Sequence, residues 1–308
     1  MPIYRKSNDK LSQIRERKID KEKSLQKLVE ENVSEIFGLT FVKTEHQLGA
    51  LRIDTLAFDN ETKSFVIIEY KKGSSFSVID QGYSYLALLL NNKADFVLEY
   101  NERLNKNLRK DDVDWSQSRV IFIASSFTKY QQEAMGFQDL PIELWEAKEY
   151  ENDLVSFNQI RASEKSESIK TIAKSKDIER VSKEVRQYSL DDHIKSNWDT
   201  ARELFENFSQ RILELDPRFE IKPVKYYIGF NIENKNVIAV KVRSNKLIIE
   251  LLRVKPEDLK DSEKRTRYQK NSFKYYNKHI TVLEVKNEDD VDYAIPLIKQ
   301  VYKRFGES

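Results

Sequence analysis

Two apolar, β-branched runs, Leu51-Arg52-Ile53-Asp54-Thr55-Leu56 and Phe65-Val66-Ile67-Ile68-Glu69-Tyr70-Lys71-Lys72, flank the polar stretch Asp59-Asn60-Glu61-Thr62-Lys63-Ser64. That stretch has no glycine, but its side chains are turn formers, so the pattern predicts a β-hairpin. With a loop from Asn60 to Lys63, Phe58 pairs with Phe65, and Asp54 falls opposite Glu69. Opposed residues of an antiparallel pair share a face, with Cβ atoms roughly 4.5–5.5 Å apart. The two-residue side-chain period puts Lys71 on that face as well. Phe65 to Ile68 offers no polar face, which predicts a strand covered on both sides. Glu69 and Lys71 stand where that covered strand emerges.

Two carboxylates about 5 Å apart repel by roughly 3 kcal/mol at an effective dielectric near 20. A lysine offsets part of this, and a divalent cation offsets more. Oxygen-only donors suit a hard ion such as Mg²⁺ rather than zinc. In a chain that is 34% charged, an ordinary strand-end ion pair satisfies the same spacing. Spacing by itself therefore leaves both readings open.

The remaining composition narrows the chemistry. There is no cysteine, which excludes disulfides, thiolate zinc sites and cysteine nucleophiles and is compatible with a reducing cytoplasm. Seven glycines form no phosphate-cradling loop. The three histidines, His46, His193 and His279, are far apart in sequence. No run approaches the ~18 apolar residues of a membrane span, and the N-terminus lacks the apolar core of a signal peptide; the expectation is a cytoplasmic protein with no membrane partner. Basic residues gather locally although the net charge is only +2: Arg253 to Lys278 carries nine Lys/Arg against four acids, interleaved with Tyr268, Phe273, Tyr275 and Tyr276. Such a segment can follow a phosphate backbone and stack on bases, and a solvated helix face gives similar counts.

Along the chain, the polar first twenty residues hold only Ile3-Tyr4 as a short strand. A helix is predicted from Lys21 to Phe37, with Leu25, Leu28, Val29, Val33 and Ile36 on one face and Gly38 ending it. Glu22 falls on that apolar face; Glu30, Glu31 and Glu35 are expected in solvent. Thr40 to Val42 reads as a strand, and Gly73-Ser74-Ser75 as a turn into a helix over Val78 to Asn91. Gln81 and Tyr85 sit one turn apart on it. Phe96 to Tyr100 is read as a strand, Glu102 to Ser118 as a charged insertion, Arg119 to Ala124 and Ile142 to Trp145 as strands, and Lys129 to Met135 as a short helix. Helices alternating with strands after a hairpin imply an α/β fold, a mixed sheet flanked by helices.

Between Phe157 and Tyr188 there is no aromatic residue, which places a charged linker at 161–189 between a first domain, 1–160, and an accessory α+β domain, 190–308. In the latter a helix is expected over Trp198 to Leu215, strands over Val224 to Ile232, Val237 to Arg243, Lys246 to Val254 and Ile280 to Val285, and a final helix over Val291 to Phe305.

The pieces Glu22-x-x-Leu25 leading to Glu31-Asn32, Arg52-Ile53-Asp54, Ile67-Ile68-Glu69-Tyr70-Lys71 and Gln81-x-x-x-Tyr85 give the first half a further meaning. In order and spacing, residues 20–150 resemble the PD-(D/E)XK nuclease superfamily and, within it, the catalytic domain of NucS-type endonucleases. The second half looks like a small α+β domain of unknown function that often follows such nuclease domains, with Asn271 to Lys278 where those domains usually carry a glycine- and histidine-rich turn.

The resemblance implies a restriction-endonuclease-like sheet and Mg²⁺ or Mn²⁺ held by Asp54, Glu69 and the Tyr70 carbonyl. Glu22 would bind through water or complete the site. Lys71 would orient the nucleophile or stabilise developing charge, Gln81 would position substrate or a metal-bound water, and Tyr85 is expected to pack. The activity implied is endonucleolytic hydrolysis of DNA, in repair or in defence against foreign DNA. A ribonuclease, and a non-catalytic module of the same fold that binds nucleic acid or protein, are the alternatives. A homodimer or a protein partner through the C-terminal domain stays open.

Overall fold

In a computed structural model describing residues 2–17, 19, 22–48, 51–71, 77–134, 140–160, 181–182, 184–233 and 235–306, the chain divides into two compact units, Met1–Gln187 and Tyr188–Ser308. The first opens with a ribbon of β1 (Ile3–Ser7) and β2 (Lys10–Ile14), turning through Asn8 and Asp9 at positive φ. After β3 (Glu16–Arg17) come α1 (Glu22–Phe37), β4 (Thr40–Leu48), β5 (Leu51–Asp59) and β6 (Ser64–Lys71). There follow α2 (Val78–Asn91), α3 (Lys93–Leu104), β7 (Arg119–Ala124), α4 (Lys129–Ala134), β8 (Ile142–Tyr150) and β9 (Leu154–Ile160). Among the described residues these strands build a seven-stranded sheet in the order β3-β8-β7-β6-β5-β4, with β9 added to β8. β6, β7 and β8 run parallel, and the other pairs are antiparallel.

The hairpin of β5 and β6 has the register counted from its loop. Phe58 pairs with Phe65, and the ladder continues to Thr55 opposite Ile68. Without glycine, the turn closes because the Asp59 carboxylate accepts the amides of Glu61 and Thr62 at 2.9 and 3.1 Å, and Lys63 takes φ 57°. Phe65 to Ile68 is sealed, because helices cover both faces of the sheet. Leu25, Val29, Val33 and Phe37 of α1 pack on Ala57, Val66, Ile68 and Tyr70. On the opposite face Leu86 and Leu89 of α2 and Phe96 of α3 pack on Leu56, Phe58, Phe65 and Ile67.

Several expectations are corrected. Phe96 to Tyr100 is helical, because Phe96, Val97, Tyr100 and Leu104 recur at helical spacing and place one face on the ring cluster of Phe58 and Phe65. β4 and β8 run well past Val42 and Trp145, and β9 returns along β8 as an unforeseen hairpin. Of the stretch read as a linker, 161–180 lies outside the described residues, as do Lys72, the Gly73-Ser74-Ser75 turn and Met135. Its end is not solvated: Val181 and Val185, four residues apart, are buried in the first unit's core.

The second unit is an α+β layer. β10 (Glu220–Val224), β11 (Tyr227–Ile232), β12 (Lys235–Arg243), β13 (Lys246–Leu252), β14 (Arg267–Tyr268) and β15 (Ile280–Val285) form an antiparallel sheet in the order β10-β11-β12-β13-β15-β14. Val224 to Ile232, read as one strand, is a hairpin turning at Lys225-Tyr226. Phe205 and Phe208 of α5 (Asp199–Leu215) and Ile298 of α6 (Glu288–Gly306) cover Phe230, Val240, Ile249 and Leu283.

Candidate active site

The β5–β6 ladder stops at Thr55 and Ile68, and one step further the two acidic side chains take over from the backbone. The amide of Asp54 donates to Glu69 Oε1 at 3.1 Å, and the amide of Tyr70 donates to Asp54 Oδ2 at 3.1 Å. Each carboxylate thus satisfies a backbone donor of the strand opposite, which fixes both side chains at the mouth of the hairpin. Side-chain alternation along β6 puts Glu69 with Phe65 and Ile67 on the face that α2 covers. Lys71 Nζ lies 3.5 Å from Glu69 Oε2. From α2, the Tyr85 hydroxyl stands beside Glu69 and donates to the Arg52 carbonyl at 3.5 Å. Glu69, Asp54, Lys71 and Tyr85 are brought together.

Glu69 is only 2% exposed. Burial, and then the neighbouring Asp54 charge, push its carboxyl up to about 7, against the lowering effect of the Asp54 amide, Lys71 and Tyr85. Among the described residues Lys71 is the cation paired with Glu69, and one ammonium does not balance two carboxylates. Oδ1 of Asp54 accepts no hydrogen bond from the described residues. These oxygens fit a hard divalent ion, which would supply the missing positive charge. Burial also pushes the Tyr85 phenol well above its ordinary range, with Glu69 adding to it, so Tyr85 remains a donor.

Behind the pair, on the α1 face, lies a second polar network. Gln26, 5% exposed, donates through Nε2 to the Asp54 carbonyl at 3.0 Å, to Glu30 at 2.9 Å and to Thr44 at 3.2 Å. Thr55 donates to Glu30 at 2.6 Å, so the Tyr70 hydroxyl, 3.2 Å from Thr55, is the donor in that contact. Glu30, expected in solvent, therefore anchors this network. The signal that could have found it is the i, i+4 pair Gln26 and Glu30 beside Leu25 and Val29.

Glu22 is not brought to the pair. It is the first residue of α1 and is exposed. Among the described residues no three His, Cys, Asp or Glu side chains gather as a metal site. Gln81, one turn before Tyr85, has its side-chain oxygen buried and without a hydrogen-bond partner among the described residues. Tyr85, expected only to pack, carries a hydroxyl that belongs to the site.

Comparison with known proteins finds one similar sequence, one family model and three solved structures with partial likeness. The chain is 39% identical over 304 residues to an uncharacterized protein of Haemophilus influenzae (strain ATCC 51907 / DSM 11121 / KW20 / Rd), across 98% of this chain and all of that one. A family model described as a domain of unknown function (DUF5655) matches residues 190–304. Among solved structures, a repair endonuclease from Pyrococcus abyssi aligns over 42% of this chain and 48% of its own, at 17% identity and TM-score 0.25. An EndoMS–double-stranded DNA complex aligns over 41% of this chain and 46% of its own, at 17% identity and TM-score 0.22. Pyrococcus furiosus SfsA in complex with Ca²⁺ aligns over 46% and 63%, at 15% identity and TM-score 0.24. The chain thus spans about half the length of the two endonuclease structures.

Proposed function

We propose that this chain, which belongs to one family with the uncharacterized Haemophilus influenzae protein, hydrolyses DNA phosphodiester bonds in a metal-dependent, endonucleolytic reaction. The observation that carries the reading is the buried Glu69 held against Asp54 beside Lys71 at the end of a two-sided sheet. The PD-(D/E)XK-like order of Asp54, Glu69 and Lys71 gives this charge arrangement its chemistry.

Asp54 and Glu69 would hold Mg²⁺ or Mn²⁺ together with the Tyr70 carbonyl, and Glu22 would join through water. When bound, such an ion lowers the pKa of a coordinated water and stabilises charge on a phosphate. The protein's own groups do the rest. The Lys71 ammonium attracts the scissile phosphate and stabilises negative charge that develops on it. Gln81 offers its oxygen to a water proton and so orients that water. The Asp54 amide holds Glu69 in one rotamer, and Gln26 holds the Asp54 backbone, which keeps the acceptor oxygens in place before substrate arrives.

The exposed Glu22 favours one second reading, in which the fold binds nucleic acid or protein without cutting it. Assaying labelled single-stranded, duplex and branched DNA, and RNA, with Mg²⁺ or Mn²⁺ and with EDTA separates the readings. The nuclease predicts cutting that EDTA stops and that falls by about 10²–10³-fold in Asp54→Asn and Lys71→Ala. No cutting of any substrate, or equal cutting by Lys71→Ala, defeats it. Binding that needs no metal and survives Asp54→Asn without any cutting supports the alternative, and cutting confined to RNA changes the polymer.

A further inference from the structure

Between β13 and β15 the second unit carries a segment whose backbone is pinned and three of whose rings are exposed. Arg267 and Tyr268 pair with β15, and the Gln269 amide donates to the Ile280 carbonyl at 2.9 Å. Ser272, fully buried, accepts the Ile280 amide on Oγ at 3.2 Å. Asn271 and Asn277, at φ 61° and 54°, bracket a short helical turn over Ser272–Tyr276. The rings of Tyr268, Phe273 and Tyr276 do not fold into the core. Phe273 is 52% exposed, Tyr276 45% and Tyr268 37%. Phe273 stacks on His279 with centroids 4.8 Å apart and planes at 26°, and the Tyr268 hydroxyl meets His279 Nδ1 at 2.9 Å.

Holding three large aromatic rings at the surface forgoes the burial that normally accounts for such residues in a fold. The sequence that carries them is one-sided in charge. From Arg265 to His279 there is no acidic residue, and Lys270, Lys274 and Lys278 recur every fourth position. Flat faces interleaved with cations match a polyanion that exposes flat faces of its own. A duplex conceals its base faces by stacking, whereas an unpaired strand offers them.

We propose that this surface binds single-stranded nucleic acid, with bases stacking on Phe273, Tyr276 and Tyr268 and phosphates attracted by Lys270, Lys274 and Lys278. The proposal rests on the nucleic-acid reading given above and deepens it, naming an unpaired strand as what the second unit holds. Binding is measured by fluorescence anisotropy on the full chain in EDTA, with a labelled oligothymidine and a duplex of equal length, so that loss of cutting and loss of this contact are read separately. Phe273→Ala and Tyr276→Ala are each expected to weaken strand binding by about 10-fold, with duplex binding altered less than about 2-fold. Phe273→Trp, which keeps a ring on His279, is expected to bind as the unaltered chain does. Unchanged strand affinity in the double alanine variant overturns the proposal. So does an equal loss on strand and duplex, which would leave a phosphate patch without stacking. Absence of strand binding together with self-association that the double variant abolishes would assign the surface to a second copy of the chain and overturn it as well.

Discussion

Glu69 carries a carboxyl whose folded value, about 7, stands far above the unfolded reference of 4.5. Because the folded state holds its proton more tightly, the stabilisation is fully present below about pH 4.5 and is lost as pH rises through about 7. The difference corresponds to about 3 kcal/mol. In metal-free buffer, thermal unfolding should therefore fall in temperature between about pH 5 and 8, and Glu69→Gln should flatten that slope. Adding Mg²⁺ at pH 8 should restore the lost stability in the unaltered chain but not in the variant. At limiting metal, cutting should rise with pH through the same window, since the ionised form is the one that binds. The pairing of Asp54 with Glu69 was legible in the sequence because a hairpin register follows from counting outward from its loop. Gln26 and Glu30 were not. Taking Leu28 as buried, although it is 38% exposed, and omitting Phe37 rotated the expected face of α1 away from them.

Elements are tied together at the far end of the same sheet by a buried ion cluster. Arg119, at the start of β7, reaches Asp59 of β5 at 3.0 Å and Glu143 of β8 at 2.8 Å. Arg119→Met would leave two carboxylates in a desolvated place without their cation, and should destabilise the protein by about 3–5 kcal/mol in denaturant unfolding. Methionine keeps most of the volume, so a loss of that size would report the charge. The ribbon of β1 and β2 stands at the other extreme. Apart from Ile14 its residues are exposed or half-exposed, so deleting residues 2–13 should shift the melting temperature by less than about 2 °C. Strong periodicity explains which elements the sequence made legible: α2, β6 and β7 are almost wholly apolar where they are covered. Phe96 to Tyr100 reads as a strand because five residues with four apolar side chains fit a strand as well as a helix turn. Only their packing on Phe58 and Phe65 decides between them.

For the molecule as a whole, a formal net charge of +2 provides almost no long-range pull on a polyanion, so any attraction must come from local clusters. That makes the salt response a spatial probe. If an unpaired strand meets the chain on the surface around His279, log affinity should fall linearly with log salt, by about 0.7 for each phosphate neutralised. Replacing Lys270, Lys274 and Lys278 together by glutamine should then reduce the slope by about 2 units, while oligothymidine still binds at low salt through the rings. Lys71→Ala, at the candidate active site, should change the slope by less than one unit while lowering cutting by about 10²–10³-fold. The two substitutions thus divide attraction from chemistry. A salt slope untouched by the lysine triple variant would mean that the basic character of Arg253 to Lys278 is only solvation of a surface.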